Sequence, residues 1–251
     1  MALSQRAVAE GRPGPDFPEL KNLARPVSLA RERTLPVLPA LADLLPEGGL
    51  LRGSTVAVSG DPPRASRSEA EARPGATSLA LALLAGPSQA GSWCAAVGLP
   101  SLGLVAAAEV GIALERFPLV ARPGDEWPAV VAALVDAVDV VLVHLPRHVR
   151  SSDARRLVAK ARDRGAVLVT TGGSKALPAD IRLSVLSCAW EGLGHGHGRL
   201  RARSMDVVVT GRGAAARERR ASLWLPAADG GVEQCLRDPL CMPQQIAQTL
   251  G

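Results

Sequence analysis

A strand, a long polar loop and an apolar helix follow one another between Gly53 and Gly86, and this order constrains what the chain can fold into. STVAVS (54–59) is typical of a buried strand. TSLALALLA (77–85) is apolar on nearly all sides, so the helix it predicts must pack against a sheet. Strand and helix patterns continue to alternate as far as AVLVTT (166–171). Such alternation indicates a parallel sheet whose strands are joined by crossover helices.

The other elements are predicted from apolar runs bounded by turn residues. We expect strands at 92–98, 117–120 and 139–144, and helices at 40–45, 104–111 and 125–137. A further helix is expected to begin after Ser151 or Ser152, either of which can cap it, and to end at Gly165. After Gly172 the polar–apolar alternation of 181–190, 197–211 and 219–226 predicts antiparallel strands that extend the same sheet. The predicted fold class is therefore α/β, with a mostly parallel central sheet flanked by helices and an antiparallel C-terminal extension.

The 251 residues suit one domain of this kind with short appendages. Residues 1–34 are Pro-containing and mixed in charge, which predicts a flexible N-terminal arm. The core is expected to span 35–226, and its Pro-, Ser- and charge-rich stretch 61–74 to be a surface insertion. Residues 227–251 are left as a C-terminal tail.

Composition excludes some classes of protein. The apolar runs are shorter than the ~20 residues that a membrane span needs. The four cysteines lack C-x-x-C spacing, which favours free thiols in a cytoplasmic protein. A net charge of +5 is compatible with phosphate or nucleic-acid partners. With two Phe, four Trp and no Tyr, however, the chain has little aromatic surface on which bases could stack.

The loop between the first strand and its helix has the order of a phosphate-binding loop but not its residues. The pattern G-x-x-x-x-G-K-[ST] places four residues between its glycines and follows them with a lysine. Here residues 61–74 separate Gly60 from Gly75, and Gly75-Ala76-Thr77 stands where Gly-Lys-Thr is expected. We therefore treat the following residues as a vestigial nucleotide-binding site: Gly60, Gly75, Thr77 and Ser78.

From about Leu35 to Pro226 the chain resembles the RecA ATPase core. LPEGGLLRGSTVAVSG is similar to the entry into the P-loop strand, GATSLALALLA to the helix behind it, and AVDVVLVHLP to the Walker B strand. Within that superfamily the chain resembles the ImuA-type RecA-like proteins of actinobacteria. The phrases LPVLPAL, GSWCAAVGLPSLGLVAAAEVGIALER, WEGLG and GHGRLRAR carry this resemblance.

The resemblance implies an accessory role in the SOS response to DNA damage, in mutagenic translesion DNA synthesis. Members of the ImuA-type family work beside an inactive Y-family-like polymerase subunit, ImuB, and an error-prone C-family DNA polymerase. We therefore expect an adaptor that binds proteins in the cytoplasm or at the nucleoid after damage. Contact with DNA would then be indirect, and self-association is a further expectation.

The RecA resemblance also assigns the positions of the ATPase residues. Ala76 occupies the place of the P-loop lysine, His144 that of the Walker B carboxylate, and Pro100 that of the carboxylate that polarises water. Phosphoryl transfer depends on such charges, and the loss of one commonly costs ~2.7–4 kcal/mol. The sequence therefore predicts a protein without enzymatic activity and without bound ATP or Mg²⁺.

Two alternatives remain open. Arg64, Arg67 or Arg73 in the insertion could replace the missing lysine, which would leave a nucleotide-binding protein or a weak DNA-stimulated ATPase. The degenerate P-loop is also compatible with a SulA-like inhibitor of cell division.

Arginines crowd the end of the chain, and two interpretations apply to them. Arg199, Arg201 and Arg203 have period-two spacing, which places them on one face of a strand. With the arginines that follow they could form a patch for DNA or an acidic partner, or a merely polar outer face. The later arginines are Arg212, Arg217, Arg219 and Arg220.

Three smaller groups of residues are weaker candidates. Arg147, His148, Arg150 and Lys175 lie in the shortened counterparts of the RecA DNA loops and could contact phosphates. His195 and His197 fit a Gly-rich turn better than a metal site, so no metal is expected. Glu109, Asp136 and Asp139 are interpreted as solvated charges.

Overall fold

The computed structural model describes residues 33–60, 75–172, 177–193 and 198–235. The described residues from Thr34 onward belong to one compact unit. Several residues singled out above lie outside these ranges, so their roles stay predictions: Arg64, Arg67, Arg73, Lys175, His195, His197 and Cys241. Most of the expected arm, the insertion 61–74 and residues 236–251 lie outside them as well.

The described chain begins with a small antiparallel sheet. Strands β1 (Thr34–Pro36) and β2 (Gly49–Leu51) pair with each other, and helix α1 (Pro39–Ala42) lies between them in sequence. A helix was expected at 40–45; the observed helix begins one residue earlier and ends at Ala42. A residue before a proline is driven out of the helical region, which accounts for Leu45. Leu45, which precedes Pro46, has extended dihedral angles.

The alternating part of the sequence forms the parallel half of a nine-stranded sheet. Its elements are β3 (Thr55–Gly60), α2 (Ala76–Gln89), β4 (Cys94–Val97), α3 (Leu104–Glu109), β5 (Leu119–Val120), α4 (Trp127–Ala137), β6 (Val140–His144), α5 (Ser151–Arg164) and β7 (Val167–Thr171). Strands β5, β4, β6, β7 and β3 are neighbours in that order, and every pair among them is parallel. The predicted parallel sheet is confirmed.

The last strands turn the sheet antiparallel. They are β8 (Ile181–Leu193), β9 (Gly198–Gly211), β10 (Arg219–Trp224) and β11 (Glu233–Gln234), and they extend the sheet beyond β3 in chain order. β8 was expected in the antiparallel part, but it is parallel to β3 on one side and antiparallel to β9 on the other. β11 lies beyond Pro226. Both edge strands of the sheet, β5 and β11, are only two residues long.

The core lies on both faces of the sheet because successive strand residues point to opposite sides. Val140 and Leu142 of β6 join the cluster around the apolar helix α2. Val141 and Val143 join the cluster under α4 and α5. The helix expected at 125–137 is present as α4, and its Val131 and Val135 are fully buried in this second cluster.

The start of α5 differs from the prediction. Its N-cap is Arg150, and neither a Ser151 nor a Ser152 hydroxyl caps it. Arg150 is extended, and its backbone carbonyl accepts the first helical hydrogen bond, from Ala154 N at 3.0 Å. The two serines therefore lie in the first turn instead. Among the described residues, no helix is both long and apolar enough to cross a membrane.

Candidate functional site

The carboxyl ends of the parallel strands meet at one edge of the sheet, and the residues predicted to be vestigial lie there. β3 ends at Gly60, β6 at His144 and β7 at Thr171. Helix α2 follows β3 and begins with Ala76, Thr77 and Ser78. The residues to which the RecA resemblance gives P-loop and Walker B positions therefore lie at one edge of the sheet.

Helix α2 begins at a left-handed glycine. Gly75 has φ +88°, which favours glycine over any other residue, and its carbonyl accepts a hydrogen bond from Leu79 N at 2.9 Å. Ala76, at the position of the P-loop lysine, is buried, while Thr77 and Ser78 are half-buried. The first turn therefore presents two hydroxyls and an uncharged methyl group.

Met205 packs against this turn from β9. A Cβ atom built on Gly75 would lie 2.6 Å from Met205 Cε and 3.6 Å from Val185 Cγ1. Met205 is 1% exposed, so it belongs to the core and brings apolar surface to the beginning of α2. This contact could not be predicted from local patterns, since 130 residues separate the two positions.

His144 ends β6 with a hydrogen-bonded ring. Its Nδ1 lies 3.2 Å from Oγ1 of Thr171, the residue opposite it on β7. Partial burial lowers the pKa of His144 below its ordinary value of 6.5, so the ring is neutral at neutral pH. A neutral imidazole is a poor ligand for Mg²⁺, which prefers oxygen.

Two glycines bring the strand ends at this edge close together. Gly98, after β4, has φ +77°, and a Cβ atom built on it would lie 3.0 Å from His144 O. Gly172, after β7, has φ +100°, and its Cβ would lie 2.6 Å from Leu145 O. Sequence reasoning missed both glycines as parts of the site. Their signal was their place: Gly98 is the last residue of one predicted strand, and Gly172 directly follows another. Pro100, in the turn after β4, is exposed.

A pair of hydroxyls links β3 to β8 beside the same edge. Ser59 Oγ and Ser184 Oγ are 3.2 Å apart and lie at paired positions of the two strands. With Thr77, Ser78 and the His144 ring, they make this edge a set of hydrogen-bonding groups without formal charge at neutral pH.

The predicted arginine patch divides into separate parts. Arg199 and Arg201 are exposed on the outer end of β9. Arg212 follows the other end, thirteen residues from Arg199, a span of roughly 40 Å in an extended strand. The other three arginines lie near Arg212. Arg217 is exposed and Arg219 is half-buried. Arg220 donates a hydrogen bond from Nε to Glu218 Oε1 at 2.7 Å. The structure does not bring the two groups together.

Arg203 corrects the expectation of a solvent-facing row. It is 8% exposed, and its Nε donates to the backbone oxygen of Leu225 at 2.7 Å. Burial lowers the pKa of its guanidinium. The period-two spacing predicted that Arg203 faces solvent together with Arg199 and Arg201. Instead, the turn after β10 covers β9 at Arg203.

The remaining candidates are placed as follows. Arg147, His148 and Arg150 are exposed between β6 and α5. Asp139, expected to be solvated, is instead 15% exposed in its side chain and paired with Arg52 Nη1 at 2.8 Å. Asp136 is paired with Lys160 and Arg164. Within the described ranges, no cluster of three or more His, Cys, Asp or Glu residues could hold a metal ion.

The family described as the MT3502 N-terminal domain matches residues 43–177, more than half of the chain. The chain belongs to the MT3502 family. One similar protein, the uncharacterized protein Rv3395c of Mycobacterium tuberculosis, is 33% identical over 175 residues. That match covers 69% of this chain and 78% of the relative. The matched range runs from before β3 to beyond β7 and so includes Ala76 and His144.

Proposed function

We propose that this protein is a non-catalytic RecA-like adaptor of damage-induced mutagenic translesion DNA synthesis. It acts by contacts with an inactive Y-family-like polymerase subunit of the ImuB type and with an error-prone C-family DNA polymerase. The sheet is the scaffold on which these contacts are arranged, and no nucleotide turnover is part of the function.

The observation that carries the proposal is the pair Ala76 and His144. Ala76 is the first residue of the helix behind the central strand, and His144 is the last residue of β6. These are the two positions at which an active RecA-like ATPase needs a cation for the phosphates and a carboxylate for Mg²⁺. A buried methyl group and a neutral ring supply neither.

The packing around Gly75 supports the same proposal. In a phosphate-binding loop the helix start is open to the anion, so that backbone N–H groups can reach it. Here Met205 and Val185 lie against Gly75. Apolar side chains at this point favour a structural role for the helix start over an anion-binding one. The ImuA-type resemblance then supplies the polymerase partners.

The absence of catalysis is tested by calorimetric titration of the full-length protein with a non-hydrolysable Mg-ATP analogue, alongside a hydrolysis assay with and without single-stranded DNA. We expect neither heat of binding nor turnover. Thr77→Ala is the matched variant because it removes the one surviving Mg²⁺-binding hydroxyl. Binding without turnover that Thr77→Ala weakens would show that nucleotide is held as a structural ligand, whereas ATP turnover that Thr77→Ala lowers would contradict the non-catalytic proposal.

The adaptor role is tested by co-expression with the ImuB-type protein of the same genome and purification through a tag on either chain. We expect the two full-length proteins to co-purify with fixed stoichiometry. Thr77→Ala should leave the complex intact, since the contact does not depend on nucleotide. If the proteins separate in both tag orientations, the adaptor proposal fails. Overexpression without DNA damage is the further control, because filamentous cells would favour the cell-division inhibitor instead.

A further inference from the structure

A second candidate site lies at the amino edge of the sheet, away from the strand ends discussed above. A cavity of about 390 Å³ is formed where the chain enters β3 and β8 and leaves β9. Its walls come from the 3-10 turn before β2, the turn 51–54, helix α5 and residues 212–215. Cavities of roughly 300–1,000 Å³ are the usual size of small-molecule sites.

One wall of the cavity is apolar. Leu51 lines it and is 39% exposed. Ile181 and Ala215 also line it and are otherwise buried, at 6% and 3% exposure. An apolar ligand group in the cavity would cover Leu51 and remove this surface from water.

The cations of the cavity are unequally engaged. Arg52 is held by Asp139 at 2.8 Å. Arg162 Nη2 is 3.9 Å from Asp180 Oδ1, a loose contact. Arg212 is exposed, and no ion pair or side-chain hydrogen bond joins it to any residue within the described ranges. Arg212 is therefore the guanidinium that is free to take a ligand.

Ser54 lies in the wall of the cavity but does not offer its hydroxyl to it. The residue is 4% exposed, and its hydroxyl has no hydrogen-bond partner among the residues that the structure describes. The hydroxyl oxygen is inaccessible from the cavity. The arginines are therefore the donors that a ligand can reach.

The carboxylates on the cavity do not cancel these donors. Asp180 Oδ2 accepts a hydrogen bond from Thr55 N at 2.9 Å, and Oδ1 faces Arg162. Glu47 is the other lining carboxylate, and it is exposed to solvent. Water screens the exposed charges of Glu47 and Arg212 alike, so the balance of the lining charges decides. Three arginines against two carboxylates leave the lining with one excess positive charge.

We propose that this cavity binds a small organic anion, a carboxylate or phosphate group carried on an apolar body. The anionic group is held by Arg212 with Arg162. The apolar body lies against Leu51 and Ile181. This site is separate from the vestigial nucleotide site and does not depend on the adaptor role proposed above.

The test is calorimetric titration of the full-length protein with four probes that share one ring: phenyl phosphate, benzoate, benzyl alcohol and benzylamine. We expect at least one of the two anions to bind, and their relative affinities show whether the site prefers phosphate or carboxylate. We expect the neutral alcohol and the cationic amine to bind more weakly than that anion. Equal binding of the alcohol would reduce the site to an apolar cleft, and stronger binding of the amine would show that Glu47 dominates; both results overturn the proposal.

Variants assign the binding to the cavity. Arg212→Ala should lower the affinity for the anion roughly tenfold or more, as expected for the loss of a charge-assisted hydrogen bond. Arg212→Lys should retain part of that affinity. Arg217→Ala, an exposed arginine that does not line the cavity, should leave affinity unchanged. Neither arginine has a structural side-chain bond in the described chain, so both variants should fold. Absence of anion binding to the unmodified protein, or equal loss in the Ala variants of both arginines, would refute the site.

Discussion

Arg203 lies with its guanidinium carbon 5.1 Å from the centre of the Trp190 ring, and the two residues are directly opposite on β9 and β8. The same side chain donates from Nε to Leu225 O, while its Nη2 is buried without a hydrogen-bond partner among the described residues. The arginine therefore joins the β8–β9 pair to the turn that follows β10. Its role in this position is structural.

Replacing Arg203 should lower the stability of the protein. Arg203→Ala removes a charge-assisted hydrogen bond and a cation–π contact, for an expected loss of about 2–4 kcal/mol in the free energy of unfolding. Arg201→Ala, two residues away and exposed, should change it by less than about 0.5 kcal/mol. Urea denaturation measures both. Equal effects of the two variants would mean that the contacts of Arg203 contribute nothing.

The lowered pKa of His144 should appear in the pH dependence of stability. Below its ordinary pKa of 6.5, the unfolded chain binds a proton that the folded ring resists. The free energy of unfolding should therefore fall as pH decreases through that range. His144→Gln should remove this part of the slope in urea denaturation between about pH 7.5 and pH 5. Identical slopes for the two proteins would contradict the prediction, and NMR titration of the ring would report its pKa directly.

Gly172 should tolerate no side chain. A Cβ atom there would meet the backbone oxygen of Leu145 at 2.6 Å in addition to the strain of φ +100°. Gly91 is the matched control, because it has φ +91° and nothing within 4 Å of its Cβ position. Gly91→Ala should cost about 1–2 kcal/mol from backbone strain alone, and Gly172→Ala clearly more. Equal melting temperatures for the two variants would show that the strand ends separate easily.

Cys94 should be chemically inert in the folded protein. Burial, with a smaller contribution from the negative charge of Asp139, raises the pKa of its thiol to about 12 from 9.0. The reactive thiolate is therefore about a thousandfold scarcer than in an ordinary cysteine. Mass spectrometry after brief iodoacetamide treatment should find Cys94 unmodified and the half-buried Cys188 and Cys235 modified. Labelling of Cys94 in denaturant but not in buffer would show that folding protects the thiol, whereas rapid labelling in buffer would contradict the prediction.

Much of the fold follows from local patterns in the sequence. β6 is a run of apolar residues between an Asp and a His, and α4 repeats Val131 and Val135 one turn apart. Both patterns record burial against the sheet, which is why periodicity predicted the elements and their faces. The change at β8 was half visible: its alternation showed antiparallel pairing with β9, but pairing with β3 depends on a strand over 120 residues earlier.

The environments of charged residues could not be predicted in this way. Period-two spacing placed Arg203 on a face, but what covers that face comes from Leu225, 22 residues later. Asp139 looked solvated because its partner Arg52 is 87 residues away. The cavity at Arg212 is built from separate segments that only the folded sheet brings together. Local sequence patterns do not indicate contacts between residues that are far apart in the chain.

The two-residue strands β5 and β11 at the sheet margins have a consequence for assembly. A long, flat margin offers a row of unpaired N–H and C=O groups to which another chain can add. Strands β5 and β11 themselves offer only about two residues of such a row each. Addition of another chain at these two strands is therefore disfavoured, whereas the β8–β9 hairpin runs past its neighbours: β3 pairs with β8 only as far as Val185, and β10 pairs with β9 only from Ser204.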